Sequence, residues 1–188
     1  MRTVIYSMSV SLDGFIAGPG GDIAWTAPSQ AQFEFHVQQT REIGVELMGR
    51  GLYEAMLVWE DAETTMSGAA ELEFARIWKA IPKVVFSTTL EQVEGNARLA
   101  DGDVAGEVAK LRDAPGDGVI SVGGAGLAAT LIKLDLIDEY RLFVNPVVVG
   151  GGTPYFPPLD AAIELELVET RTFGSRVVYH RYLRSSRG

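Results

Sequence analysis

The chain has 188 residues, with 16 Lys plus Arg against 25 Asp plus Glu, so its formal charge is −9. That balance, with a sequence pI near 4.7, excludes a general nucleic-acid or membrane-surface binder, because both need a basic field. Zero cysteines exclude a disulfide framework, thiolate metal sites and a cysteine nucleophile, and two histidines far apart in sequence, His36 and His180, exclude a His-rich metal centre.

An apolar content of 47% and a charged content of 22% are ordinary for a globular protein, and the length predicts one domain over residues 1–188. No apolar run approaches the ~18 residues of a membrane span. The opening residues MRTVIYSMSVSLDGF make a poor signal peptide. A cytoplasmic protein is expected.

Thr3–Val10 alternates and is rich in β-formers, so a first strand is predicted there. Ser11–Trp25 carries Gly14, Gly18, Pro19, Gly20 and Gly21 and reads as a mobile loop. Pro28-Ser29 opens a helix to about Ile43, with Phe33, Val37 and Thr40 near one face. Val45–Gly49 is a short strand running into Arg50-Gly51 and a short helix. Ala70–Ile81 is a helix that Pro82 stops, and Lys83–Ser87 is a buried-type strand. An extended piece at Ala97–Ala100 precedes a helix at Val104–Arg112 and a turn at Asp113–Gly118. Gly118–Val122 is an apolar strand, and Gly123–Gly126 opens the helix Leu127–Leu134. After a turn at Asp135–Asp138 comes a β-type run, Tyr140–Val149, interrupted by Pro146, and then a Gly150–Gly152 loop. Strands at Leu165–Thr172 and Arg176–Tyr182 are joined by Phe173-Gly174-Ser175. Strand and helix alternate early, and strands alone follow late. The expected fold is therefore α/β, a three-layer sandwich whose mixed central sheet is mostly parallel with an antiparallel C-terminal edge.

Three strands end in turns rich in hydrogen-bond donors: Gly49–Gly51, Ser87–Thr89 and Gly123–Gly126. Glycines after a strand let a backbone approach a ligand closely, and free N–H groups at a helix start favour phosphate. The alternative for Gly123–Gly126 is tight strand-to-helix packing alone. Gly124–Ala129 matches a dinucleotide fingerprint, but it lies late in the chain and lacks the acidic residue about 20 positions on that a Rossmann site requires. Arg50 between two glycines can reach a phosphate bidentately or simply stand exposed at a helix start. Ser87 and Thr88 can bond a nucleotide or cap the next segment. Parallel strands set such turns along one sheet edge, a layout suited to an extended, multiply phosphorylated ligand. Glu60, Asp61 and Glu63 read as a solvated loop rather than a magnesium site, and His36 and His180 as packed or exposed structural residues.

The order of the motifs SLDGFIAG, MGRGLYE, VVFSTT and SVGGAGLAATLIKLDLIDEYRLFVNPVVVGGGTPYF resembles the dihydrofolate-reductase-like superfamily. The nearest branch is that of the riboflavin-biosynthesis reductase domain, and the likeness runs from Thr3 to about Leu183. The resemblance implies NADPH as cofactor and hydride transfer to a small pteridine-like, pyrimidine or carbonyl substrate. By position, Gly49, Arg50, Gly51 and Leu52 would meet the cofactor's phosphates, and Leu52 stands where a threonine is usual. Ser87 and Thr88 would lie by the adenosine 2′-phosphate. Gly123, Gly124, Ala125, Gly126 and Leu127 would cradle the pyrophosphate, and the Ser11–Ile16 loop would cover the nicotinamide.

No acidic residue stands at the start of the first helix, where true dihydrofolate reductases hold the pterin. The region reads WTAPSQAQ, and Glu34 is its first acid. Dihydrofolate is therefore not the expected main substrate. Trp25, Gln30 and Phe33 are the substrate-pocket candidates, and Asp13, Gln30 and Tyr53 the catalytic ones. Without cysteine, the zinc deaminase that accompanies this fold in the riboflavin branch is excluded. The alternatives are the riboflavin-pathway 5-amino-6-(5-phosphoribosylamino)uracil reductase itself and an NADPH-binding or regulatory protein without turnover. A homodimer is implied too, with the apolar Leu142–Val149 segment as its candidate contact.

Overall fold

In a computed structural model, described here for residues 1–174 and 176–185, the elements run as follows. β1 spans Val4–Ser11, β2 Phe15–Ala17, α1 Gln30–Thr40, β3 Ile43–Gly49, α2 Arg50–Met56, α3 Ala62–Thr65 and α4 Ala69–Ala80. Then come β4 Lys83–Phe86, β5 Ala97–Leu99, α5 Val104–Asp113, β6 Val119–Gly123, α6 Ala125–Lys133, β7 Glu139–Asn145, β8 Thr153–Pro154, β9 Leu165–Phe173 and β10 Val177–Arg184. Eight strands form one sheet in the order β5-β4-β3-β6-β1-β7-β10-β9, and β2 pairs with β8 in a small second sheet. The strands from β5 to β7 are parallel, whereas β10 and β9 are antiparallel. This is the expected mixed α/β sheet. No described helix is long and apolar enough to cross a membrane.

Alternation along each strand sends side chains to two layers. On one face Val4, Tyr6, Val45, Leu47, Val84, Ile120 and Val122 pack with Val108 of α5 and Leu127 and Leu131 of α6. The Tyr155 hydroxyl crosses this layer to donate to the Tyr6 carbonyl at 2.9 Å. On the other face Met48 and Val85 pack with Tyr53 of α2 and Trp78 of α4, and Phe143 and Tyr179 pack with Phe35 of α1.

That second face also carries a buried row of polar side chains. Glu46 is the register partner of both Lys83 and Ser121, and Ser7 is the partner of Arg141. Each buried charge needs a partner or a lost proton. Arg141 bonds the equally buried Glu139 and reaches Glu42 with two Nη contacts at 3.2 Å. Lys83 donates to the carbonyls of Trp78 and Ile81 at 2.7 and 3.1 Å, closing the C-terminus of α4 where a cation is favoured.

Three boundaries differ in ways that bear on the site. The Ser11–Trp25 stretch is not all loop: β2 pairs Phe15 with Pro154 and Ala17 with Thr153. The first helix stops at Thr40, because Ile43 already pairs with Val119 in the sheet. The run from Tyr140 ends at Asn145, since Pro146 has no N–H to continue a ladder. Leu142–Asn145 is moreover an interior strand, paired to β1 on one side, and Leu142–Val144 to β10 on the other, so that part has no free edge to pair with a second copy. The turn expected at Phe173–Ser175 includes Ser175, which lies outside the described residues.

Replacing Arg141 by Met strands the buried Glu139 with less than its full complement of bonds. The expected cost is about 3 kcal/mol of unfolding free energy at neutral pH, measured by urea denaturation against the wild type.

Candidate functional site

Because β4, β3 and β6 are adjacent and parallel, their carboxyl ends open on the same edge. The three donor-rich turns therefore stand side by side. Arg50 begins α2, with its Nε on Glu54 at 2.7 Å and its Nη1 on the Thr89 hydroxyl at 2.9 Å. Ser87 accepts from the amides of Thr89 and Leu90 at 3.1 and 3.0 Å, so it does cap the following turn. It also lines, with Arg50, Thr88, Thr89 and Gly102, a cleft of about 450 Å³. Capping therefore does not remove Ser87 from the cleft wall.

The third turn begins at Gly123 and bends at Gly124, whose φ of +89° suits glycine. The amides of Ala125, Gly126 and Leu127 open the helix without partners inside it. Cβ atoms at Gly49, Gly51 and Gly126 would meet nothing within 4 Å, so the ground over these turns is open. Gly123 is different. A Cβ there would overlap the Leu52 side chain and stand 3.0 Å from the Glu46 carboxyl. Leu52 thus packs down onto the glycine turn within the Met48–Tyr53–Trp78 cluster, and it has no polar side-chain atom to offer a phosphate.

The pocket and catalytic candidates divide. Trp25 sits in a single 3₁₀ turn and donates to the Asp22 carbonyl at 3.1 Å. Gln30 is exposed and bonds Glu34 at 3.0 Å. Phe33 packs on Trp59 and Phe74, with centroids at 6.4 and 5.9 Å, in the seam between α1 and α4. None of the three lines the central cavities. Tyr53 is 5% exposed and its hydroxyl accepts from the Glu94 amide at 2.6 Å, which makes it a core residue. Asp13 receives the amides of Val149 and Gly150 at 3.2 and 2.8 Å and so latches the first loop to the glycine loop before β8. A hydrogen bond from Ser11, ahead of those amides, holds its carboxyl below the usual range. It is placed as a structural clamp. His180 pairs across strands with the Thr170 hydroxyl at 2.7 Å. Glu60 approaches Lys83 at 3.8 Å and Glu63 bonds Lys79 at 2.6 Å, and no metal-binding cluster is found among the described residues.

From α1, His36, Gln39 and Thr40 face the space beside the sheet, and the buried Gln32 contacts His36 at 3.4 Å. Two cavities, of about 270 and 240 Å³, meet at Ser7 and His36. The first is lined by Met8 of β1, Ile16 of β2, Ile23 and Thr26 of the following turn, and Phe143. The second lies deeper, with Glu46, Ser121 and Arg141 on the sheet side. His36 packs on Phe143 with centroids 4.2 Å apart and the rings tilted by 44°, and burial pushes its pKa down to about 4. Burial pushes the Glu46 carboxyl up to about 7, opposed by a hydrogen bond from Ser121 and the charge of Lys83. Gln32, His36 and Gln39 recur at helical spacing, a signal present in the sequence but masked by the neighbouring Phe33 and Val37. Glu46 and Lys83 likewise stand out as charges inside the apolar runs VELMG and KVVFS.

The sequence profile of the RibD C-terminal domain family matches residues 2–179. The chain belongs to that family. The uncharacterized protein YyaP of Bacillus subtilis is 34% identical over 191 residues, covering 95% of both proteins. A protein of Shewanella sp. PV-4 assigned to riboflavin biosynthesis superposes with a TM-score of 0.77 at 23% identity, over 98% of this chain and 99% of that one. Dihydrofolate reductase from Enterococcus faecalis, complexed with NADP(H) and RAB-propyl, gives 0.63 at 16% identity, over 98% and 97%. This RibD C-terminal domain therefore has the dihydrofolate-reductase-like fold.

Two outcomes follow from the packing around Gly123. Gly123→Ala should destabilise the protein by about 1–3 kcal/mol through overpacking, and adding Leu52→Ala should recover part of that loss in urea melts. A raised Glu46 pKa means that the unfolded chain ionises first as pH climbs. Its penalty is absent below the ordinary carboxylate pKa and complete above about pH 7. Glu46→Gln should then match the wild type near pH 4 and exceed it at pH 8 by about 3 kcal/mol.

Proposed function

We propose that the protein is an NADPH-dependent reductase acting on a small heteroaromatic or carbonyl substrate. The observation that carries this reading is the meeting of Arg50 with three hydroxyls in one cleft, beside an open glycine turn that starts a helix. A guanidinium and hydroxyls suit the 2′-phosphate of NADPH, and free amides at the start of α6 suit a pyrophosphate. The open ground above Gly49, Gly51 and Gly126 fits the close approach that such a ligand needs. The fold neighbour solved with NADP(H) supports the same choice of cofactor.

Ser87, Thr88, Thr89 and Arg50 would hold the adenosine end. Gly123 to Leu127 would hold the pyrophosphate through their backbone. Bound NADPH supplies hydride chemistry. The chain's own part is to orient the ring under the β1–β2 loop, fixed by the Asp13 latch, and to keep water from the two cavities behind it. The negative charge of the chain is no obstacle, because a short-range set of amides and one arginine acts within a few ångströms, well inside the ~8 Å screening length.

The test is NADPH titration by fluorescence beside NADH. Arg50→Ala should weaken NADPH binding about 10- to 100-fold, the loss of a charge-assisted contact, and leave NADH binding within about threefold. A wild-type protein that takes up no NADPH at micromolar concentration ends the reductase reading.

A further inference from the structure

The deeper cavity contains an ionisable group that the cofactor cleft does not use. Glu46 is 5% exposed, lies between Lys83 and Ser121 on the neighbouring strands, and faces α1 across a space of about 240 Å³. It is also next to the glycine turn, since a Cβ on Gly123 would be 3.0 Å from its Oε1. One carboxyl therefore borders both the proposed cofactor seat and the cavity behind it.

The other charged or titratable groups around that space are committed. Arg141 is held by Glu139 and Glu42. Lys83 turns its ammonium to the Trp78 and Ile81 carbonyls, 4.8 Å above the Trp78 ring and 3.8 Å from Glu60. His36 is kept neutral by burial. The sides contributed by α2 and α4 are apolar, Met56 and Phe74. Among the described residues no cation comes within ion-pair distance of Glu46, and the Ser121 hydroxyl is its polar neighbour. Burial outweighs the Ser121 bond and the more distant charge of Lys83, so this carboxyl holds its proton to higher pH than an exposed one, and a protonated carboxyl is a hydrogen-bond donor.

We propose that Glu46 is the proton-carrying residue of this cavity, and that the cavity takes a neutral planar ligand through a carbonyl oxygen or imine nitrogen to which the Glu46 carboxyl donates. The inference rests on the reductase reading and deepens it. In the reduction the ligand's C=O or C=N carbon gains a hydride, supplied by the reduced nicotinamide, which is oxidised. The ligand's heteroatom gains the proton that leaves the Glu46 carboxyl. The carboxylate left behind takes a proton back from water, so one C=X bond becomes CH–XH for one hydride and one proton. A group that titrates near the working pH suits such a transfer.

The experiment follows the Glu46 carboxyl in protein labelled with ¹³C-carboxyl glutamate, its resonance assigned by its loss in Glu46→Gln. The ligand probe is 2-pyridone, a neutral ring lactam, and NADPH binding is measured separately by fluorescence. The resonance should titrate near neutrality, and saturating 2-pyridone should raise its midpoint by about half a unit or more, because the bond is made only by the protonated form. Glu46→Gln, whose amide still donates, should keep 2-pyridone binding at every pH, whereas Glu46→Leu should weaken it about tenfold or more. A midpoint in the ordinary carboxylate range, a midpoint that 2-pyridone does not move, or a Leu variant binding like the wild type overturns the inference. Should the Leu variant fail to fold, the midpoint and the Gln variant still decide. NADPH binding with an unresponsive Glu46 sinks this inference alone. A responsive Glu46 without NADPH binding sinks the reductase reading and leaves the proton-carrying cavity standing.

Discussion

The space beside the Cα of Gly123 is claimed from two directions, by Leu52 above and by Glu46 on the adjoining strand. Neither could sit as it does over any residue with a side chain. Leu52 in turn belongs to the Met48–Tyr53–Trp78 cluster that seats α2, and α2 carries Arg50 at its first position. Glu46 belongs to the polar row under α1. One missing side chain thus lets α2 close onto the sheet, which sets where the guanidinium stands. It also brings the buried carboxyl up against the turn. Interiors are packed at crystal-like density, so a disturbance there reaches both sides.

The turns of the site were legible in the sequence, whereas the cavity behind them was not. Gly49–Gly51, Ser87–Thr89 and Gly123–Gly126 stand out because glycine and hydroxyl residues just after apolar runs mark the carboxyl ends of strands, where the chain turns. The register of α1 could not be read the same way. Its apolar residues, Phe33, Phe35 and Val37, do not form one stripe: Phe33 meets Trp59 and Phe74, while Phe35 meets Phe173 and Tyr179. A helix packed between two apolar neighbours and a polar cavity has no clean amphipathic face, so periodicity points to the wrong side. Gln30 was singled out for its position near the helix start, yet the inward glutamine is Gln32, 1% exposed. Tyr53 and Asp13 misled for a different reason. Each has a functional group able to do chemistry, and in each a backbone amide has already taken it.

The distribution of charge follows the same logic of distance. The chain is acidic overall, but its buried charges are arranged pair by pair rather than as a field. Arg141 answers Glu139 and Glu42, and Lys83 answers two carbonyls at the end of α4. Buried pairs of this kind add little to stability compared with apolar substitutes, though removing one partner is costly. Their effect here is positional. They tie β7 to the segment after α1, and β4 to α4, and so hold the walls of the cavity from opposite ends.

Glu46 has no ion pair at contact distance among the described residues, with the Ser121 hydroxyl beside it and Lys83 acting from further away. Lys83 and Arg141 each have something closer: backbone carbonyls for Lys83, side-chain carboxylates for Arg141. The protein accepts a destabilising carboxyl whose ordinary ionisation is suppressed by burial. Its electrostatic service is to the buried Lys83, whose charge Glu60 and Glu46 both favour against burial. That service asks for an anion, whereas the burial of Glu46 itself asks for the neutral acid, so the two demands oppose one another across β3 and β4. Under the proposed role the same conflict is useful, because a carboxyl poised between its two forms can both hold and release a proton beside the glycine turn.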